Sequence, residues 1–305
     1  MAISKAPPVF LIRFPTTGLS STMRTPYLQN KKCLITGAAS GIGRATALAA
    51  AAEGAELFLT DINAGSLDAT VAEIRRAGGK VSFAQAGDIA DIDMVRGLAH
   101  DIHAAHGSLD VLMNIAGISV WGRVEDLQHE HWRKVIEINL MGPIHVIECF
   151  VPAMIEAGRG GHLINVSSAA GLFGLPWHAA YSASKFGVRG ISEVLRFDLA
   201  RHGIHVGLVC PGAVNTPLVG TVDIVGIDRG NPEVQATVKR FQRHAVTPEK
   251  AAAAILRGIR AKRYMIFTSP DIRVGYWFQR KFALPYEWVM SLLNIQIHRL
   301  ARRLG

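Results

Sequence analysis

Lys32-Cys33-Leu34-Ile35-Thr36-Gly37-Ala38-Ala39-Ser40-Gly41-Ile42-Gly43 is the stretch on which the fold turns. Residues 32–36 form a short apolar run, which predicts a buried strand. Three glycines follow at the spacing G-x-x-x-G-x-G, and then the alanine-rich helical stretch Arg44–Glu53. A strand that passes through a glycine turn into a helix makes a phosphate site. The first helical amides have no partner within the helix, and the helix dipole favours an anion there. Gly37 permits the tight turn, Gly41 lets backbone approach a diphosphate, and Gly43 lets helix and strand pack closely. Glycines in isolation often mark ordinary turns, so the reading rests on the strand before them and the helix after.

A second strand, Glu56–Thr60, ends at Asp61. An acid about 20 residues past such a loop is placed to accept from a ribose 2′-hydroxyl and to repel a 2′-phosphate. Neither Ser40 nor Ile62 supplies a cation to offset it, and Arg44 is expected to face outward from the helix. The expectation is therefore NAD, with NADP less favoured. The plainer alternative for Asp61 is a turn or cap residue.

The second informative region holds Ser168, in Val-Ser-Ser-Ala-Ala-Gly (166–171), and then Tyr181 and Lys185, in Tyr-Ser-Ala-Ser-Lys (181–185). Residues four apart on a helix share a face. A free phenol titrates near pH ~10, and a neighbouring ammonium favours its anion, so the pair can exchange a proton with an alcohol or carbonyl oxygen. Tyr27 and Lys31 repeat the spacing, but they precede the first strand and have no serine upstream, so that copy reads as chance. The structural alternative for Tyr181 and Lys185 is a half-buried helix face with a snorkelling lysine.

With Asp88, Asn-Ile-Ala-Gly at 114–117, Asn139 in Ile-Asn-Leu-Met-Gly and Cys-Pro-Gly at 210–212, these motifs resemble the short-chain dehydrogenase/reductase family from about Lys31 to Pro270. The resemblance implies that Tyr181 is the acid/base. Lys185 would lower its pKa and bind the nicotinamide ribose. Ser168 would hydrogen-bond the substrate oxygen, and Asn139 would hold a relay water. It implies cofactor contacts from Gly37, Ser40, Gly41, Ile42, Gly43, Asp61, Asp88, Ile89, Asn114, Ala116, Gly117, Tyr181, Lys185, Pro211, Gly212, Val214 and Thr216. Asn114 would stabilise the central sheet and line the cofactor cleft. Ile115 stands where the family usually has a second asparagine, which removes one polar side chain. Ser168 is chosen over Ser167 because the offset to Tyr181 is 13 residues.

Apolar runs at 32–36, 56–60, 81–85, 109–115, 161–167, 205–209 and 263–268 alternate with helical patterns. That alternation predicts an α/β fold: one doubly wound, Rossmann-type parallel sheet with the ligand at the carboxyl ends of its strands. Thr247-Pro248-Glu249 opens a helix, as a cap, a first-turn proline and an acid. The organisation expected is a flexible extension over 1–28, a catalytic domain over 29–270 and a basic, aromatic, helical extension over 271–305. A lid is expected at about 214–246, where periodicity is lost. Its apolar residues, Leu218 among them, together with Leu175 and Trp177 ahead of Tyr181, suggest an apolar substrate. These side chains would equally serve as core packing.

The net charge of +9 is uneven. Residues 1–32 carry five basic and no acidic side chains, residues 251–305 carry ten basic and two acidic, and the remainder is net −4. No basic run is interleaved with stacking aromatics, so nucleic acid is not an expected partner. Residues 273–305 are rich in aromatics, and their stretch Trp288–Leu304 reads as an amphipathic helix, which puts 273–305 in peripheral contact with a membrane surface or places a helix over the substrate cleft or a subunit interface. No window of about 18 uninterrupted apolar residues occurs, and Val9–Ile12 is too short for a signal-peptide core. A cytoplasmic location and a mobile first ~25 residues are expected, with Met23 an alternative start. Cys33, Cys149 and Cys210 are expected as buried free thiols. His100, His103 and His106 recur every third residue, but without cysteines or a His-Glu-x-x-His they read as a solvated helix face, and no metal is expected.

The function expected is an NAD-dependent oxidoreductase interconverting a secondary alcohol and a ketone or aldehyde on an apolar, steroid- or lipid-like molecule. It is expected to work as a homo-oligomer, dimer or tetramer, and in the oxidising direction. Two alternatives remain: an NADP-linked 3-oxoacyl-type reductase, and a non-catalytic NAD-binding scaffold or sensor.

Overall fold

The computed structural model describes residues 26–217, 223–226, 231, 235 and 245–304, with side chains to 296. Among the described residues there are nine strands: β1 (Lys32–Thr36), β2 (Glu56–Asp61), β3 (Lys80–Ala86), β4 (Val111–Asn114), β5 (Val120–Trp121), β6 (Gly161–Val166), β7 (Ile204–Cys210), β8 (Asp223–Ile224) and β9 (Met265–Phe267). Seven of them form one parallel sheet in the order β3-β2-β1-β4-β6-β7-β9. All seven strands expected from apolar runs are present. The pair β5–β8 is additional, joining Val120 and Trp121 to Asp223 and Ile224.

The helices are α1 (Gly41–Ala52), α2 (Ala64–Arg76), α3 (Ile92–His106), α4 (His129–Ile136), α5 (Gly142–Ala157), α6 (Ala179–Asp198), α7 (Pro248–Arg260), α8 (Pro270–Lys281) and α9 (Ala283–Leu304). Side chains alternate across a strand, so one apolar run feeds two cores. Cys33 and Ile35 point to the face packed by Ala47 and Ala50 of α1, Ile74 of α2 and Ile255 and Ile259 of α7. Leu34 points to the opposite face, against Leu98 and Ile102 of α3 and Val146 and Phe150 of α5.

Strand order reverses between β1 and β4, and the crevice opens there at the carboxyl ends of the strands. Thr36 closes this point. Its hydroxyl accepts from the amides of Ile115 (3.0 Å) and Ala116 (3.1 Å), tying the end of β1 to the loop after β4.

Thr247 caps α7 as expected, accepting from the Lys250 amide at 3.3 Å. Helix α4, a π-helical turn (Glu137–Met141) and α5 run on without a break. The stretch His129–Glu156 is long and apolar enough to cross a membrane by composition alone. Val135, Val146, Phe150 and Met154 are buried within the fold, which is the pattern of a core helix. The extension beyond the sheet consists of the two helices α8 and α9.

Candidate active site

Both Gly37 (φ 71°) and Gly41 (φ 52°) sit in the left-handed region that side chains rarely enter. Gly43 is needed for space: a Cβ there would lie 1.9 Å from the Gly37 carbonyl oxygen. This is the close packing the spacing predicts, and Gly43 is buried beneath the loop and off the cavity wall. Ser40 caps α1 in an extended conformation, with no hydrogen bond from its side chain to the first turn. The first-turn amides of α1 therefore face the crevice with no acceptor from the helix.

At the edge of the loop, the Asp61 carboxylate accepts from the Ala39 amide and the Asn63 amide, both at 2.9 Å, and borders the cavity. It is thus a turn residue as well as a cavity acid. Arg44 pairs with Glu73 of α2, away from the loop. Asp88 takes the Ala90 amide at 2.9 Å, and both Asp88 and Ile89 line the same cavity.

Ser168 follows β6 and caps a short 3-10 turn (Ala169–Gly171), with its Oγ accepting from the Ala170 amide at 3.1 Å. Ser168 also hydrogen-bonds Tyr181, in the first turn of α6. One turn on, the Lys185 amine donates to the Val166 carbonyl at 3.1 Å and lies 5.8 Å from the centre of the Tyr181 ring. Ser167 is the structural serine: its hydroxyl donates to the Lys185 carbonyl at 2.8 Å and anchors α6 to the end of β6.

The expected direction of the Tyr181 shift is not what this geometry gives. Burial raises the phenol above its ordinary value, and the Ser168 hydrogen bond offsets only part of this. Burial also pushes the Lys185 amine down to about 8, so desolvation acts on both members of the pair.

Asn139 lies in the π-helical turn, a distortion frequent at functional sites. Its Oδ1 accepts from the Ile118 amide at 2.8 Å, and its Nδ2 donates to the Ile118 carbonyl at 2.9 Å and to Ser184 Oγ at 3.3 Å. Gly117 packs against it. A Cβ there would stand 2.9 Å from Asn139 Oδ1 and 3.4 Å from Lys185 Nζ, so Asn139 sits close behind the part of the wall that Gly117 and Lys185 form.

Asn114 does not line the cleft. It is buried in the sheet, where its Nδ2 donates to Asn165 Oδ1 at 2.9 Å, and Asn165 Nδ2 donates to Ser192 Oγ at 3.0 Å. Asn114 and Asn165 are register partners on β4 and β6, so the contact locks the two strands beneath the site. Asn165 and Ser192 are not among the residues the sequence motifs single out, although an asparagine inside the apolar run 161–167 is a visible signal.

One cavity of about 1200 Å³ joins these groups. Gly37, Ser40, Gly41, Ile42, Asp61, Asp88 and Ile89 line one end; Ala116, Gly117, Ser168, Tyr181 and Lys185 line the middle. Pro211, Gly212, Val214 and Thr216 close it from the lid side. Gly41 approaches Thr216 across the opening, a Cβ there falling 3.2 Å from that side chain.

Trp121, Phe173, Leu175, Trp177, His178 and Ile272 form the far, largely apolar end. Leu175 and Trp177 were expected there, and Trp177 holds a positive φ of 64°. Leu218 and much of the expected lid lie outside the described residues. Trp121, Phe173, His178 and Ile272 were not foreseen; only distant contacts bring them together. The His178 ring lies between Trp121 (4.4 Å) and Tyr181 (6.2 Å), and burial holds its pKa below the usual histidine value.

Among the described residues no cluster could hold a metal ion. The histidines of α3 are not a uniformly solvated face as expected. His103 packs edge-on against Phe150 and His106 against Phe58, while His100 is exposed. Cys33, Cys149 and Cys210 are free, the first and last buried and Cys149 half-buried.

A profile of the short chain dehydrogenase family matches residues 31–224. The chain is similar to a 3beta-hydroxysteroid dehydrogenase of Mediterraneibacter gnavus, 36% identical over 242 residues covering 74% of this chain and 87% of that protein. It is similar to the 3-oxoacyl-(acyl-carrier-protein) reductase FabG of Thermotoga maritima, 40% identical over 191 residues covering 63% and 77%. A probable oxidoreductase of Mycobacterium tuberculosis, EphD, is 34% identical over 261 residues; the match covers 83% of this chain and only 43% of that longer protein. Among solved structures, a Burkholderia phymatum short chain dehydrogenase in complex with NAD superposes with a TM-score of 0.76 at 29% identity, covering 83% of this chain and 94% of that one.

Proposed function

This chain belongs to the short chain dehydrogenase family, and on that premise we propose that it is an NAD-dependent oxidoreductase interconverting a secondary alcohol and a ketone on an apolar, steroid- or lipid-like molecule. The observation that carries the reading is the continuity of one cavity. The partnerless amides of α1 open at one end, and Tyr181, bonded to Ser168, stands before an apolar chamber at the other.

A dinucleotide fits the residues present. The first-turn amides of α1 would take its diphosphate, Asp61 an adenosine ribose hydroxyl, and Lys185 the nicotinamide ribose. When bound, the nicotinamide supplies hydride transfer. Ser168 would orient the substrate oxygen, and Tyr181 would give or take the proton there. A phenol raised by burial rests protonated, ready to donate to a developing alkoxide. In the oxidising direction Ser168 and the nearby Lys185 would stabilise the phenolate.

The test is Tyr181→Phe. Turnover of an alcohol panel, followed by NADH absorbance, should fall at least about a thousandfold while NAD affinity stays within about threefold. A variant that keeps its turnover removes Tyr181 from the chemistry and the reading with it.

The likeness to FabG favours a second reading, an NADP-linked reductase of 3-oxoacyl thioesters. Asp61 at the ribose end opposes a 2′-phosphate, and calorimetric titration with both dinucleotides decides between them. Three free thiols support a reducing, cytoplasmic setting. A dimer or tetramer is proposed from family likeness and is checked by light scattering.

A further inference from the structure

The C-terminal extension carries an apolar face that the rest of the described chain leaves uncovered. On α9, Tyr286 and Met290 are half-buried, and the Tyr286 hydroxyl accepts from the Gly174 amide at 3.0 Å, so this side faces the body. Leu284, Trp288, Leu292 and Ile295 fall at i, i+4, i+8 and i+11, a single stripe on roughly the opposite side. They remain 79%, 68%, 41% and 46% exposed. At the corner with α8, Trp277 and Phe278 pack on Phe282 at 5.9 and 5.2 Å, with Trp277 still 57% exposed.

Cations accompany the stripe. Arg273, Arg280 and Lys281 are exposed on α8, and the sequence of the last turns of α9 adds Arg299, Arg302 and Arg303. Only Asp271 and Glu287 oppose them within residues 270–305. Exposed tryptophan and leucine beside arginine and lysine is the composition of a helix lying at a lipid interface. Docking two copies stripe to stripe would set like charges against each other, whereas anionic headgroups would neutralise them.

The extension is also part of the cavity. Ile272 lines it and crowds Gly212, where a Cβ would lie 2.8 Å from the isoleucine side chain. Tyr286 holds Gly174, in the same loop as Phe173, Leu175 and Trp177 of the apolar wall. Tyr286 therefore ties the helix that carries the stripe to the loop that carries the apolar wall.

We propose that residues 270–304 seat the enzyme on an anionic lipid surface, and that the apolar end of the cavity receives its alcohol or ketone from that bilayer. The second half rests on the oxidoreductase reading above; the first does not.

The experiment uses the full chain and sedimented vesicles, either pure phosphatidylcholine or phosphatidylcholine with about one quarter phosphatidylglycerol. The protein should sediment with the anionic vesicles at least about tenfold more strongly, and the difference should collapse at about 0.5 M salt. Leu284→Ser with Trp288→Ser should weaken that binding by about tenfold per side chain. Turnover of a short water-soluble alcohol should be unchanged in this variant, and turnover of a bilayer-dissolved one reduced. Arg280→Glu with Lys281→Glu, at exposed positions, gives an independent variant that should lose the preference for anionic vesicles.

Equal sedimentation with both vesicle types, or undiminished binding by both variants, overturns the proposal. So does a wild-type dimer that the Leu284/Trp288 variant converts to monomer without any vesicle binding, because a second copy then covers the stripe. Binding is read with neither cofactor nor turnover, so its failure leaves the oxidoreductase reading standing.

Discussion

Methionine in place of Lys185 should stabilise the fold while abolishing turnover. Lys185 is only 4% exposed, its amine has no carboxylate partner among the described residues, and burial lowers it from 10.5 to about 8. Below about pH 8 the folded protein holds this ammonium charged at full cost. Between about 8 and 10.5 the unfolded chain binds a proton that the folded one does not, so stability rises with pH; above 10.5 the cost has gone. At about 1.4 kcal/mol per pH unit, that gap corresponds to about 3 kcal/mol at neutral pH.

Methionine has a similar length and no charge, but it gives up the hydrogen bond to the Val166 carbonyl, worth about 1 kcal/mol. A net gain of about 2 kcal/mol at pH 7 remains, shrinking toward zero or reversing near pH 10. Urea denaturation of both proteins at the two pH values, without added dinucleotide, measures it. A variant less stable than wild type at pH 7, or a difference that does not change with pH, would refute the reasoning. It would mean that the amine is solvated or paired in solution in a way the folded geometry does not provide.

Gly43→Ala places a methyl group against backbone, 1.9 Å from the Gly37 oxygen, and Gly37 at φ 71° has little freedom to retreat. The expected loss is about 3 kcal/mol, with NAD affinity reduced more than tenfold; thermal unfolding and calorimetric titration check it, and an NAD affinity within threefold of wild type would show that the loop relaxes cheaply. Tyr286→Phe releases the Gly174 amide at an exposed position and should cost less than about 1 kcal/mol. Its effect should fall on KM, raised severalfold for apolar alcohols with kcat nearly kept; a loss of kcat at constant KM would place Tyr286 in the chemistry instead. Oxidation should speed up as pH rises past neutrality and reduction should slow, because burial keeps the Tyr181 phenol protonated until higher pH; a pH–rate profile in both directions reads this.

How much of this could be read from the chain alone depends on how far apart in sequence the interacting groups lie. The seven strands were legible because each is a short apolar run bounded by helical patterns, and the glycine loop because its demands are local to residues 36–43. The spacing of Tyr181 and Lys185 gave their shared helix face but not their burial, which comes from β6 and the wall around them, and burial reversed the expected direction of the tyrosine shift. Asn114 was placed in the cleft because its partner, Asn165, lies 51 residues away. The histidines of α3 looked solvated because Phe58 and Phe150 belong to other elements. The β5–β8 pair has two residues per strand, too few to make a pattern.

The two ends of the cavity are built from different kinds of contact, and this should separate chemistry from specificity. Lys185 is fixed through Ser167 on its carbonyl and Val166 at its amine; Asn139 is fixed through both polar atoms of the Ile118 backbone. These directional bonds end largely on backbone at the carboxyl ends of interior strands, Val166 itself being paired with Val209 of β7, so Lys185 and Asn139 cannot shift without disturbing the sheet there. The far wall combines ring contacts, Trp121 on His178 and Phe173 on Tyr286, with hydrogen bonds that are local or exposed. These run from Trp121 to Ser119, between His178 and the Pro176 carbonyl and from the Gly174 amide to Tyr286, and such a wall tolerates repacking better than a buried network. Substitutions in 172–178 and 270–286 can therefore change which molecule enters at small cost to stability, whereas changes at Asn139, Asn165 or Ser192 lose the geometry whatever the substrate. An apolar wall carried on a helical extension lets a fixed proton-transfer centre serve a different substrate by exchanging the last 35 or so residues, with the sheet left as it is.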